Sequence, residues 1–129
     1  MTRPSAGGTG FTLIELLIVI MIIGILASLA TYGYRHMVNK ARMTQAQVAL
    51  KHLHKTEETY FSEMERYTAN LSILGFDPLK YDYYDLSVTL DNTGLDFLGL
   101  ATGIRQMTGD WWTITKAGVP IQSDNSVFR

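Results

Sequence analysis

Near its N-terminus the chain has a long apolar segment that contains a single carboxylate. Between Phe11 and Tyr34 the only charged side chain is Glu15, which is followed by Leu-Leu-Ile-Val-Ile-Met-Ile-Ile-Gly-Ile-Leu-Ala. Roughly 20 apolar residues suffice to cross a bilayer as a helix. A carboxylate inside the hydrocarbon costs about 2.5–3.5 kcal/mol on insertion scales, so we expect Glu15 to have a cationic partner.

Glu15 ends a short motif, Gly-Phe-Thr-Leu-Ile-Glu, at residues 10–15. This motif resembles the processing site of type IV prepilins and of the related pseudopilins of type II secretion, and the resemblance extends over about residues 9–42. It implies that a prepilin peptidase cleaves between Gly10 and Phe11 and that Phe11 becomes N-methylated. It also implies that Glu15 pairs with the N-terminal amine of a neighbouring subunit, which keeps its positive charge after methylation. Phe11 and Glu15 are therefore the predicted assembly residues.

Two simpler interpretations of the N-terminus remain open. Ser28-Leu29-Ala30 provides a small-x-small site for an ordinary signal peptidase, although only Arg3 is basic before it and the apolar stretch exceeds the usual ~7–15 residues. A plain single-span anchor accounts for the length of the segment but leaves Glu15 unexplained.

The distribution of basic residues conflicts with the resemblance. Arg35, Lys40 and Arg42 follow the apolar segment, whereas Arg3 alone precedes it. The positive-inside rule by itself therefore places the C-terminal part in the cytoplasm. The motif implies the opposite orientation, and we follow the motif because it accounts for Glu15 and the short leader together.

An amphipathic helical pattern continues beyond the apolar segment. Apolar residues recur at spacings of three, four and seven, with charged residues on the other faces; they are Met37, Val38, Ala41, Ala46, Ala49, Leu50, Leu53, Tyr60, Phe61 and Met64. One helix is predicted over residues 11–65, about 80 Å long at about 1.5 Å per residue.

Gly24 and Gly33 interrupt the apolar half of this helix and are candidate weak points, because an interior glycine costs about 1 kcal/mol relative to alanine. In the family this stretch commonly ends at a proline and unwinds in the filament, but Tyr32 occupies the corresponding position here. Close packing of small residues against neighbouring helices is the alternative explanation.

From residue 67 the composition changes to turn formers and β formers. Residues 67–80 read as an irregular connection, and strands are predicted at residues 83–90, 95–102, 111–116 and 120–123, with turns at 91–94 and 117–118. The predicted fold class is α+β: a long N-terminal helix, membrane-spanning in its first half, whose second half packs against a small antiparallel sheet. The pilin resemblance implies the same architecture.

Composition fits one small domain with an anchor. The 129 residues are 47% hydrophobic and 18% charged, and the formal net charge of −1 provides no general attraction for nucleic acid. The chain has no cysteine, so the disulfide that closes the last loop in many type IV pilins is absent. We expect packing and hydrogen bonds to hold the C-terminal loop instead.

No catalytic, metal or cofactor site is predicted. His36, His52 and His54 lack the spacing of a metal site on one helix face, and the serines lack a Gly-x-Ser-x-Gly elbow. The resemblance to pseudopilins, some of which bind calcium in their heads, raises the question of a calcium site. Oxygen ligands for calcium are present but form no Asp-x-Asp-x-Asp-Gly run; they are Asp82, Asp85, Asp91, Asn92 and Asp96. Turn and strand-edge roles are the simpler interpretation of these residues.

A nucleic-acid surface is a weaker alternative. Its basic residues are Lys40, Arg42, Lys51 and Lys55, and its aromatic residues are Tyr81, Tyr83, Tyr84, Trp111 and Trp112. Paired tryptophans on a strand usually send one ring into the core, where it cannot stack on a base. In a filament, the four basic residues would contact an adjacent subunit instead of nucleic acid.

The resemblance leads to the prediction of a non-enzymatic structural subunit, a major or minor type IV pilin. In this interpretation residues 1–10 are the leader, 11–34 the transmembrane and filament-core helix, 35–65 its amphipathic continuation and 66–129 the head. Its partners are copies of itself or other pilins, the prepilin peptidase and the assembly platform and motor proteins. It lies in the inner membrane before assembly and in an extracellular filament afterwards. The alternatives are a type II secretion pseudopilin and a DNA-binding competence pilin; motility, adhesion and DNA uptake all remain open.

Overall fold

The computed structural model describes residues 2, 8 and 10–128. Within them the chain forms one α-helix, α1 (Leu13–Met64), and four strands: β1 (Tyr84–Leu90), β2 (Phe97–Gly103), β3 (Trp111–Thr115) and β4 (Ile121–Gln122). Short 3-10 helices occupy Pro78–Lys80 and Arg105–Met107. Each strand pairs antiparallel with the next, so the sheet order is β1-β2-β3-β4. The predicted α+β class is confirmed.

Internal contacts divide the chain into two units, residues 1–37 and 38–129. In the second unit the C-terminal part of α1 packs on one face of the sheet through Ala46, Ala49, Leu50 and Leu53, which are fully buried. The approach is close at Gly99 in β2, where an added Cβ would lie 2.9 Å from a methyl carbon of Leu53. The sheet therefore packs directly against the apolar face predicted for the second half of the helix.

At both ends of this apolar face, residues that were predicted to contact the sheet are exposed. Met37, Ala41 and Met64 are exposed rather than buried. Met37 belongs to the first unit, and Met64 is the last helical residue, after which Glu65 takes a left-handed backbone conformation with φ of 55°. Glu57 is buried although charged residues were expected on the other faces.

The strands agree with their predicted positions to within two residues. The largest shift is at the start of β2, which begins at Phe97 rather than at Leu95. Asp91 explains this difference, because its Oδ1 accepts hydrogen bonds from the backbone N–H of Leu95 at 3.0 Å and of Asp96 at 3.1 Å. A carboxylate that caps a turn in this way holds both residues out of the ladder.

The connection after α1 is held in place by aromatic packing. Tyr67 and Phe76 are buried, and the Tyr67 ring lies 4.6 Å from that of Phe61 and 4.7 Å from that of Phe97. The backbone N–H of Tyr67 also donates to the carbonyl of Gly94 at 2.9 Å. The end of the helix is thereby joined to the β1–β2 turn.

A buried carboxylate, Glu57, supports the same connection at an energetic cost. Its Oε2 accepts a hydrogen bond from the Thr68 backbone N–H at 3.1 Å, but its Oε1 is buried without a partner. Burial raises the pKa of Glu57 above its ordinary value of 4.5; the hydrogen bond from Thr68 opposes this shift and the charge of Glu58 adds to it.

We expect Glu57→Gln to raise the free energy of unfolding by about 1 kcal/mol near neutral pH, because a neutral amide is cheaper to bury than a carboxylate. The advantage should shrink on acidification, since wild type gains stability as pH falls through the raised pKa of Glu57 and has the full gain below 4.5. Thermal unfolding of the detergent-solubilised chain near pH 7 and pH 4 measures both effects. Glu63→Gln, at an exposed site of the same helix, is the control. An equal gain at both pH values would refute this interpretation.

A second buried carboxylate, Asp110, accepts hydrogen bonds from residues near the C-terminal end of the chain and from β1. Its Oδ2 accepts hydrogen bonds from the Tyr84 hydroxyl at 2.5 Å and the Trp112 Nε1 at 2.8 Å. Its Oδ1 accepts from the Gln122 Nε2 at 2.8 Å and from the Ser126 hydroxyl. We call these five residues the Asp110 cluster. Because its donors come from β1, β3, β4 and the segment after β4, it closes the C-terminal loop with hydrogen bonds, as expected for a chain without cysteine.

The charge of Asp110 is stabilised by its neighbours. Burial alone would raise its pKa, but the hydrogen bonds from Gln122, Ser126, Tyr84 and Trp112 outweigh burial and hold the pKa below the ordinary value of 3.8. Asp110 therefore contributes stability above pH 3.8 that is lost as pH falls through its lowered pKa.

Candidate assembly site

The predicted processing site lies just before the start of α1. Gly10 and Phe11 have no regular secondary structure, both are exposed, and Phe11 keeps 81% of its surface accessible. The helix begins two residues later at Leu13. The bond between Gly10 and Phe11 is therefore accessible in the isolated chain.

Thr12 and Glu15 form a capping box at the start of α1. The Thr12 hydroxyl accepts a hydrogen bond from the Glu15 backbone N–H at 3.3 Å. In return the Glu15 Oε2 accepts from the Thr12 backbone N–H and from its hydroxyl, both at 3.3 Å. This reciprocal pattern satisfies backbone donors that a helix N-terminus otherwise leaves unpaired, and it places negative charge at the positive end of the helix dipole.

The capping box uses only one oxygen of Glu15. Both hydrogen bonds to this carboxylate end on Oε2, and among the described residues Oε1 accepts none. Glu15 can thus cap its own helix and still accept a further donor. Its carboxylate lies four residues from the end that cleavage would create.

The first part of α1 presents an unbroken apolar surface. It contains an 18-residue window with mean hydropathy of 2.8, none of it buried, which is long and apolar enough to cross a membrane. The exposed fractions of its large side chains range from 43% at Val19 to 83% at Leu13. A surface of this size and composition requires lipid or other protein around it.

The helix runs without interruption through both candidate weak points. Apart from the adjacent residues and the backbone of the helix itself, no described heavy atom lies within 4 Å of the position that a Cβ would take at Gly24 or at Gly33. Between them, the hydroxyls of Ser28 and Thr31 donate to the carbonyls of Gly24 at 2.9 Å and Ala27 at 2.8 Å. Such bonds slightly weaken and bend helices. Unwinding in an assembled state stays a prediction.

Comparison with known families identifies the class of this N-terminus. The family model described as the prokaryotic N-terminal methylation motif matches residues 9–31. The chain therefore carries this motif, which includes Gly10, Phe11, Glu15 and the exposed apolar turns of α1.

The chain is similar to a pilin and to a fimbrial protein. It is 38% identical over 89 residues to the type IV major pilin protein PilA of Myxococcus xanthus, a match covering 69% of this chain and 40% of that protein. It is 33% identical over 100 residues to the fimbrial protein EcpC of Eikenella corrodens, covering 78% of this chain and 64% of that protein. The resemblance to type IV pilins is confirmed, and the matches span less than two thirds of either relative.

A solved structure of a type IV pilin from Shewanella oneidensis aligns with 63% of this chain and 88% of its own length. The sequence identity is 23% and the TM-score is 0.48.

Two of the histidines and two of the aspartates considered as metal ligands have other contacts. The His52 ring lies 5.1 Å from that of Phe76, and the His54 Nε2 lies 3.1 Å from the carbonyl oxygen of Lys116. Asp91 caps a turn and Asp96 pairs with Lys116 at 3.4 Å. Among the described residues, no group of three or more His, Cys, Asp or Glu side chains could hold a metal ion.

The structure removes part of the proposed nucleic-acid surface. Tyr84 and Trp112 are buried, so neither ring is available to stack on a base, whereas Trp111 is exposed. The expectation that one of the paired tryptophans enters the core is confirmed. The Arg42 guanidinium lies over the Tyr83 ring, 4.9 Å from its centroid, which uses both residues in an internal contact.

Three residues with clear structural roles were missed in the sequence. Thr12 had a readable signal, because Thr-x-x-Glu before an apolar run is the capping-box pattern. Glu57 and Asp110 had none, because an isolated acid among turn or helix residues is normally assigned to the surface.

Proposed function

We propose that this chain is a structural subunit of a type IV pilus. Prepilin peptidase removes residues 1–10, Phe11 becomes the methylated N-terminus, and the mature chain polymerises through α1. The observation that carries the proposal is the position of Glu15. This carboxylate lies at the start of a helix long and apolar enough to cross a membrane, within the N-terminal methylation motif at residues 9–31. The names of the pilin and fimbrial relatives support it.

Before assembly, residues 11–34 hold the chain in the inner membrane as a single span, and residues 66–129 form a head on the outer side. Residues 35–65 connect the two as the amphipathic part of the helix. The exposed apolar turns of α1 support this division, since they have no partner within the described chain.

Assembly then replaces lipid with neighbouring copies of α1. Outside the membrane, each square ångström of apolar surface that the helices remove from water contributes about 25 cal/mol, which holds the filament together. Glu15 adds alignment. Its Oε2 caps the helix. Its Oε1 accepts a hydrogen bond from the charged N-terminal amine of Phe11 in the adjacent copy. This arrangement supplies the cation that an acid at this depth needs.

A pilin is a better match than a pseudopilin on two observations. The similar proteins from Myxococcus xanthus and Eikenella corrodens are a type IV major pilin and a fimbrial protein. The C-terminal loop is closed by the Asp110 cluster, so it needs no calcium ion to hold it. A calcium titration monitored by thermal unfolding tests this: the pilin assignment predicts no metal-dependent rise in stability, and a clear rise favours the pseudopilin.

Mechanical shearing of the native cells tests the proposal itself. We expect the chain in the sheared filament fraction of wild-type cells and its absence there when the prepilin peptidase is deleted, with the uncleaved form retained in membranes. A chain that never enters the sheared fraction would refute a role as a pilus subunit.

A further inference from the structure

The charged residues are segregated along the chain. From Arg35 to Thr56 there are basic residues and no acid; the basic residues are Arg35, Lys40, Arg42, Lys51 and Lys55. All the aspartates lie beyond α1; they are Asp77, Asp82, Asp85, Asp91, Asp96, Asp110 and Asp124. A net charge of −1 conceals this division, which gives the helix and the sheet region opposite signs.

Three lysines form a ridge on the helix face opposite the core. Lys40, Lys51 and Lys55 are exposed, and spacings of 11 and 4 residues place them on one side at 3.6 residues per turn. Buried residues such as Ala49 and Leu53 lie on the opposite side. The ridge extends about 22 Å at a rise of about 1.5 Å per residue. Among the described residues, none of the three lysines forms an ion pair.

An acidic edge lies at the start of the sheet. Asp82 and Asp85 are exposed and flank the buried Tyr84, and β1 is an edge strand. Both line a depression of about 210 Å³ that Arg105 also borders. Neither aspartate forms an ion pair within the described residues, so Arg105 does not neutralise them directly.

We propose that the lysine ridge of one copy docks against the acidic edge of a second copy. This inference rests on the proposed function. It adds a contact between charged surfaces of two subunits to the packing of their apolar helices. Two observations favour a second copy as the occupant: the charges are complementary and unpaired on both sides, and the ridge follows on the same uninterrupted helix as the apolar surface. Opposite charges across an interface set register and reject wrong partners.

A charge-swap experiment in filaments sheared from native cells tests the contact. Lys51→Glu with Lys55→Glu is expected to lower the filament fraction by about tenfold or more, because the new glutamates would repel the acidic edge of the adjacent copy. Asp82→Lys with Asp85→Lys should cause a similar loss. The chain with all four changes has the wild-type net charge and should recover most of the filaments. All four sites are exposed, so unfolding of the detergent-solubilised variants should match wild type.

Salt provides a second readout. Wild-type filaments should dissociate more readily as NaCl concentration rises, and the four-change chain should show the same dependence, since exposed ion pairs are screened over about 10 Å at 0.1 M salt. Filament yields that are normal in both double variants would overturn the inference. So would loss of DNA affinity in Lys51→Glu/Lys55→Glu with full filament yield, which would assign the ridge to nucleic acid. Absence of wild-type filaments would instead refute the proposed function.

Discussion

Glu15→Gln is expected to abolish or sharply reduce filaments while leaving the chain in the membrane, cleaved after Gly10. The glutamine keeps the shape of the side chain and can still accept the Thr12 backbone hydrogen bond in the capping box. It loses only the charge that pairs with the neighbouring amine. Removing one partner of a buried ion pair costs about 3–5 kcal/mol, which corresponds to a loss on the order of 10² or more in an assembly equilibrium.

Glu15→Ala separates the two roles of this residue. It removes both the charge and the cap, and loss of a cap costs about 0.5–2 kcal/mol of helix stability. If the ion pair dominates, both variants should lose filaments to a similar extent in the sheared fraction. Normal filaments from Glu15→Gln together with none from Glu15→Ala would show that the cap, rather than the intersubunit charge, is what assembly requires.

Asp110→Ala is expected to destabilise the sheet region by about 3 kcal/mol or more. The substitution removes the acceptor shared by the buried donors of Tyr84, Trp112 and Ser126, and each unsatisfied buried group costs about 1–3 kcal/mol. The half-buried Gln122 loses one of its acceptors as well. At about 4–8 °C per kcal/mol for a domain of this size, the midpoint of thermal unfolding should fall by about 10 °C or more. Near-ultraviolet circular dichroism of the detergent-solubilised chain follows the packing of the aromatic residues of the core, which include Tyr84 and Trp112.

Asp85→Asn is the matched control for the Asp110 cluster. Asp85 is exposed in β1, so the same loss of charge should change stability by no more than about 0.5 kcal/mol. Asp110→Asn should behave like the alanine variant, because an amide presents a donor where the carboxylate accepts. An unfolding midpoint for Asp110→Ala close to that of wild type would refute the role of the cluster in closing the C-terminal loop.

The sequence predicted most of the fold because its signals are local. The apolar run with Glu15, the helical spacing from Ala46 to Leu53 and the alternation in residues 83–90 each lie within one element. The residual error in the strand bounds lies where a side-chain hydrogen bond to the backbone decides the outcome. Asp91 removes Leu95 and Asp96 from β2, and this requires knowing that the carboxylate turns back onto the backbone.

The candidate assembly site was readable for the same reason. Gly10, Phe11 and Glu15 lie within six consecutive residues, so the motif can be recognised without tertiary structure. The Asp110 cluster is the opposite case, since its donors come from residues 84, 112, 122 and 126, which are separate in sequence and meet only when the sheet forms. Glu57 is similar, because only the docking of Thr68 explains why a charged residue occupies a core position of α1.

The mass of the chain purified from sheared filaments tests the central claim most directly. Our account predicts the mass of a chain that begins at Phe11 and carries one added methyl group, with Glu15 unmodified. A filament protein that still begins at Met1, or that was cut after Ala30, would contradict it.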